Sequence, residues 1–173
     1  MRRTLCLIAF ILLPGVAGRA AAQQHNELAP PTSAKEAISV TIGGKVGGKK
    51  IQGSGTGTCT HAANATVRDV SGSLWTVRYS EGKGGSVKRL DLTLWRPTDG
   101  GPDQLSLAVE TKSGTHRIET GNPGNQGKGE GSVTILPSGP GGRLEISGKE
   151  AGRKPVQITI DCTAFAGVQS EGD

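Results

Sequence analysis

The segment Gly142–Cys162, GRLEISGKEAGRKPVQITIDC, decides the fold class. Leu144 and Ile146 alternate with Glu145 and Ser147. Beyond a turn rich in Gly, Lys and Glu, Val156, Ile158 and Ile160 alternate with Gln157, Thr159 and Asp161. Successive side chains of a strand point to opposite faces, so this period of two describes strands buried on one side. Two such runs around a polar, glycine-bearing connection predict a β-hairpin. Cys162 has the parity of Ile158 and Ile160 and is expected to face the core.

The same alternation recurs upstream. Strands are predicted around Ala37–Ile42, Ile51–Cys59, Leu74–Ser80, Ser86–Trp95, Asp103–Glu110, Thr115–Glu119 and Glu130–Leu136, with a short one over Ala65–Val70. Between them stand turn signals such as Asp99-Gly100-Gly101 and the longer Gly121–Gly129 segment, GNPGNQGKG. No helical periodicity is present. Eight to ten short strands predict an all-β domain, read as a β-sandwich of antiparallel strands with one disulfide; a small open β-barrel is the alternative. In IQGSGTGTC, Gly53, Gly55 and Gly57 share the face of Ile51 and Cys59, which predicts an aromatic ring or a crossing strand packed close to the backbone, or else a bulge.

Met1–Ala22 has the form of a cleaved signal peptide: Arg2 and Arg3, an apolar run over Leu5–Leu13, and Ala20-Ala21-Ala22 at the cleavage point. That run is about half of the ~20 residues a membrane span requires, so no transmembrane anchor is expected in the mature chain. Residues 23–35 read as a flexible leader, 36–166 as the domain and 167–173 as a flexible tail. Removing Met1–Ala22 also removes Arg2, Arg3 and Arg19, so the net charge falls from +5 to +2, 17 Lys plus Arg against 15 Asp plus Glu. Such a balance gives little ground for nucleic-acid binding. Cys6 is expected to leave with the signal peptide. Cys59 and Cys162 remain, in a periplasmic or secreted compartment that permits oxidation, and are expected to form the disulfide.

Motifs for chemistry are sparse. Nothing has metal-ligand spacing, no helix start follows Gly53–Thr58 to make a phosphate loop, and no cofactor is expected. His61 lies two positions after Cys59, and Asp161 immediately precedes Cys162. A disulfide would draw them together, so a hydrolase using His61 and Asp161 is one alternative. A small-ligand or lipid carrier is another. The principal expectation is a non-catalytic, envelope-associated binding or structural module. Its candidate surface is Trp95, on the outward parity of its strand, with Arg78, Arg89 and Arg117 on or beside neighbouring strands. The expected partner is an envelope protein, a glycan or a lipid headgroup.

The placement of one cysteine in an early strand and one in the final strand resembles that of small exported bacterial lipoprotein antigens with a β-sandwich body. Their lipid-bearing cysteine has no counterpart here, and no functional residue carries over from them.

Overall fold

A computed structural model describes residues 37–81, 84–121 and 129–167. The expected signal peptide, the leader and most of the Gly121–Gly129 segment lie outside them. Alternation becomes strand throughout: β1 Ile38–Val46, β2 Lys49–Val67, β3 Val70–Ser80, β4 Val87–Pro97, β5 Gln104–Thr111, β6 Gly114–Glu119, β7 Gly129–Ser138, β8 Gly141–Glu150, β9 Pro155–Cys162 and β10 Ala166–Gly167. Gly167, the first residue of the expected tail, pairs with His61 through β10.

The sandwich expectation is overturned. A sandwich needs two separate sheets, whereas here one hydrogen-bonded path runs β6-β5-β4-β3-β2-β1-β9-β8-β7 and curls into a nearly closed nine-stranded antiparallel barrel. Alternation reveals one buried face per strand. It does not distinguish two facing sheets from one sheet curled on itself. The lumen of so small a barrel is filled by its own side chains. Val40, Tyr79, Leu90, Leu94, Leu144 and Ile160 are among the buried residues that fill it. Gly53 makes room for the Tyr79 ring: a Cβ there would meet Tyr79 carbons at 3.2–3.3 Å. At Gly57 it would meet Val40 Cγ2 at 2.8 Å.

One further expectation needs correction. The residues after Cys59 do not break into a polar segment and a short strand. They continue β2 to Val67, with a register shift between Ala62 and Ala65, and turn back through Arg68 and Asp69. Both turn residues have positive φ, 51° and 64°. That is the conformation two-residue hairpin turns require, here without the usual Asn-Gly signal.

The seam lies between β6 and β7. Every pairing on the path is antiparallel, including β1 with β9. Following the alternation around leaves β6 and β7 pointing the same way, and no backbone ladder joins them among the described residues. Side chains close the gap instead. Ile118 is fully buried and packs against the paired glycines Gly131 and Gly148. A Cβ on Gly131 would lie 3.2 Å from Ile118 Cγ2, and one on Gly148 would lie 3.0 Å from Ile118 Cδ1. Glu150, the last residue of β8, pairs with His116 Nδ1 at 2.9 Å and accepts the otherwise unladdered Arg117 N–H at 3.2 Å. The Cys59–Cys162 disulfide joins β2 to β9, the two neighbours of β1, across a separation of 103 residues.

Two outcomes follow. Gly148→Ala should lower unfolding free energy by about 1–3 kcal/mol in urea titration, the usual cost of overpacking a filled site. Replacing both Cys59 and Cys162 by Ala should cost roughly 4–5 kcal/mol if restriction of the unfolded chain dominates. That is read from chemical denaturation beside the oxidised parent.

Candidate binding pocket at the barrel mouth

The functional candidates sort by face. β4 presents Leu90, Leu92, Leu94 and Arg96 inward and Asp91, Thr93 and Trp95 outward, as its register with β3 and β5 requires. Trp95 is therefore on the outer wall as expected, yet it is only 5% exposed. Leu74 pairs directly opposite it, and Gly72 leaves its backbone open to the ring: a Cβ there would meet Trp95 Cζ2 at 2.7 Å. An exposed indole with its face free for a sugar or a protein is not present. Nor do the arginines gather around it. Arg78, Asp91, Ala108 and Arg117 form one cross-strand row. That row crosses β4 four residues from Trp95, about 13 Å along the strand.

Acidic neighbours offset part of this basic face. Arg89 bonds Asp91 at 2.6 Å, and that hydrogen bond, helped by the Asp91 charge, raises the guanidinium pKa above its ordinary value. Exposed pairs of this kind add little to stability.

His61 and Asp161 do not form a pair. His61 faces inward and stacks on Trp75, its direct partner in β3, with ring centroids 4.5 Å apart and planes 8° from parallel. Asp161 faces outward and is bonded by Arg143 Nε at 2.7 Å. The disulfide brings the two strands together but leaves these side chains on opposite faces of the wall. No group of three or more His, Cys, Asp or Glu suited to a metal is found among the described residues.

What the fold does assemble is a row of inward groups at one end of the lumen. The imidazole of His61 reaches Trp75 from β2. From β4, on the other side, the Arg96 guanidinium lies 5.7 Å from the Trp75 ring centroid, a cation–π contact. Asp103 holds Arg96 by a two-nitrogen clasp at 2.7–3.1 Å, and Arg96 also donates to the Val133 carbonyl of β7 at 3.3 Å. The hydrogen bond to Asp103 raises the Arg96 pKa, against an opposing effect of partial burial. The guanidinium thus keeps its charge, which the Asp103 carboxylate balances.

Above this row opens a cavity of about 420 Å³, bordered by His61, Trp75, Ile135, Pro137, Pro140 and Phe165. Its rim comes from the β7–β8 turn and from the strap that follows β9. Thr163 N–H donates to the Ser39 carbonyl at 3.1 Å, and Phe165 N–H donates to the Pro140 carbonyl at 2.8 Å. β10 then settles on the edge of β2 beyond the start of β1, Ala166 against Thr60 and Gly167 against His61. The imidazole Nε2 of His61 is shut away from solvent with no hydrogen-bond partner.

Sequence reading placed Trp75 on a strand over Leu74–Ser80 but did not join it to His61. Their register depends on the turn at Arg68–Asp69 and on the shift between Ala62 and Ala65, and neither carries a recognisable signal. Comparison with protein families, curated proteins and solved structures returns no match to this chain. What the findings define is a small, disulfide-stabilised all-β barrel domain.

Asp103→Asn should loosen the mouth by weakening the clasp on Arg96. The expected result is faster hydrogen exchange at backbone amides of the Gln104 and Val133 strands, with global stability reduced by no more than about 1–2 kcal/mol.

Proposed function

We propose that this barrel is a small-molecule binding protein that holds a compact, largely apolar ligand in its mouth pocket. The observation that carries the reading is the cavity lined by Trp75, Phe165, Ile135, Pro137 and Pro140 over a filled lumen. Its size falls within the range of small-ligand sites, about 300–1,000 Å³, and such sites are mostly apolar with a few placed polar groups. The mouth of a β-barrel is a recurrent place for them. Filling of the lumen narrows the carrier alternative: a long acyl chain needs a deep channel, and Leu94, Leu144 and Ile160 occupy that space. Export belongs to the same reading. It rests on the expected signal peptide and on the Cys59–Cys162 bond, a linkage that persists in oxidising compartments.

The test is titration of the oxidised protein with N-phenyl-1-naphthylamine, an uncharged apolar dye. Trp95→Phe provides a background in which Trp75 is the remaining indole. Saturable dye emission with quenching of Trp75 is expected, and Phe165→Ala should weaken binding by about tenfold, 1.4 kcal/mol. Binding that does not saturate, or that ignores both Phe165→Ala and Trp75→Leu, would remove the pocket from consideration.

A further inference from the structure

Resting on the ligand-binding reading above, we infer that the ligand of the mouth pocket is an uncharged ring compound bearing one hydrogen-bonding group, and that this group meets Nε2 of His61. Three observations converge on it.

The first is shape. The cavity ends on packed side chains instead of running into the barrel. Its walls are two aromatic rings, Trp75 and Phe165, two proline rings, Pro137 and Pro140, and Ile135. Rigid ring faces of this kind match a compact cyclic molecule better than a flexible chain, which would lose more conformational freedom on being ordered.

The second is charge. No Lys or Arg lines the cavity, and Arg96 behind Trp75 is already clasped by Asp103 and by the Val133 carbonyl. Arg143 is bonded to Asp161 on the outer face. Neither cation is left to receive a carboxylate or a phosphate, and an ion without a partner is costly in an apolar site.

The third is the one unsatisfied polar atom. A buried nitrogen without a hydrogen bond is costly, by roughly 1–3 kcal/mol, and native structures hold few of them. His61 Nε2 is such an atom, in a ring that borders the cavity. Stacking on Trp75 fixes the plane of the imidazole. Since Nε2 is closed to solvent, a ligand reaches it only if the wall yields. The weakest part of that wall is β10, two exposed residues laid against Thr60 and His61. A hydroxyl or amide on the ligand would complete the hydrogen-bonding of His61, and an apolar molecule of the same outline would not.

Equilibrium dialysis of the unmodified, oxidised protein against naphthalene, 1-naphthol and laurate tests this, with the ¹⁵N resonance of His61 Nε2 followed by NMR. The expected result is that 1-naphthol binds at least tenfold more tightly than naphthalene and shifts the Nε2 resonance, while laurate displaces neither. His61→Phe, which keeps a stacking ring, should bring the two naphthalenes to within about threefold of each other. Equal affinity of naphthalene and 1-naphthol, or a still Nε2 resonance, overturns the hydrogen-bond assignment and leaves the pocket reading standing. Preferential binding of laurate overturns the ligand class. If none of the three binds, the pocket reading falls as well.

Discussion

Parity is the constraint on which this architecture depends. Strands that alternate in direction can close a barrel with an antiparallel ladder at every junction only when their number is even. Here nine stand on the path, all paired antiparallel, so the two ends of the sheet meet running the same way. Parallel neighbours in one sheet are ordinarily joined by a crossover of a dozen or more residues, commonly a helix. Only nine residues, 120–128, lie between Glu119 and Gly129, short of such a crossover. The junction between β6 and β7 is consequently made by side chains: Ile118 against bare glycine backbone, and Glu150 standing in for a missing carbonyl. The glycines of β7 and β8 therefore act as the recess that lets the edges approach.

The same geometry explains why the interior is closed and the mouth is not. Aromatics make up 3% of the chain, so Val, Ile and Leu supply most of the lumen. Branched aliphatic side chains fill a narrow cylinder layer by layer, with Tyr79 as the large exception seated over Gly53. At one end the filling changes character. Trp75, His61 and Phe165 are placed where β2 and β3 extend past the start of β1. With no longer strand beside β2 at that level, the wall thins to the strap, and a concavity results.

Much of the fold was legible in the residues. Strand positions followed from alternation, and the inward parity of Cys59 and Cys162 anticipated the bond between them. The glycine face of β2 predicted a ring or a crossing strand close to the backbone, or else a bulge; at Gly53 the neighbour is the Tyr79 ring. Sheet curvature was not legible, because alternation is local and closure is set by twist and by which strands become neighbours. The surface suggested around Trp95 illustrates the same limit. Parity put the ring outside, but parity does not show that Leu74 stands opposite or that Gly72 lies beneath it. Likewise, nearness along the chain to a disulfide suggested a partnership of His61 with Asp161, although the two strands present them to opposite sides. The pocket itself depends on a register set by two positive-φ residues, Arg68 and Asp69, whose identities gave no hint of the turn they make.

β1 begins and β9 ends at the same end of the barrel, the end that holds the pocket. Whatever is attached to either terminus of the domain therefore emerges beside the opening. A bulky group joined directly before β1 or after β10 would crowd the approach. The opposite end carries tight turns, among them Gly47-Gly48, both exposed and both with positive φ. That is the place for a label or an immobilising handle, because a group carried there leaves the mouth facing open solution.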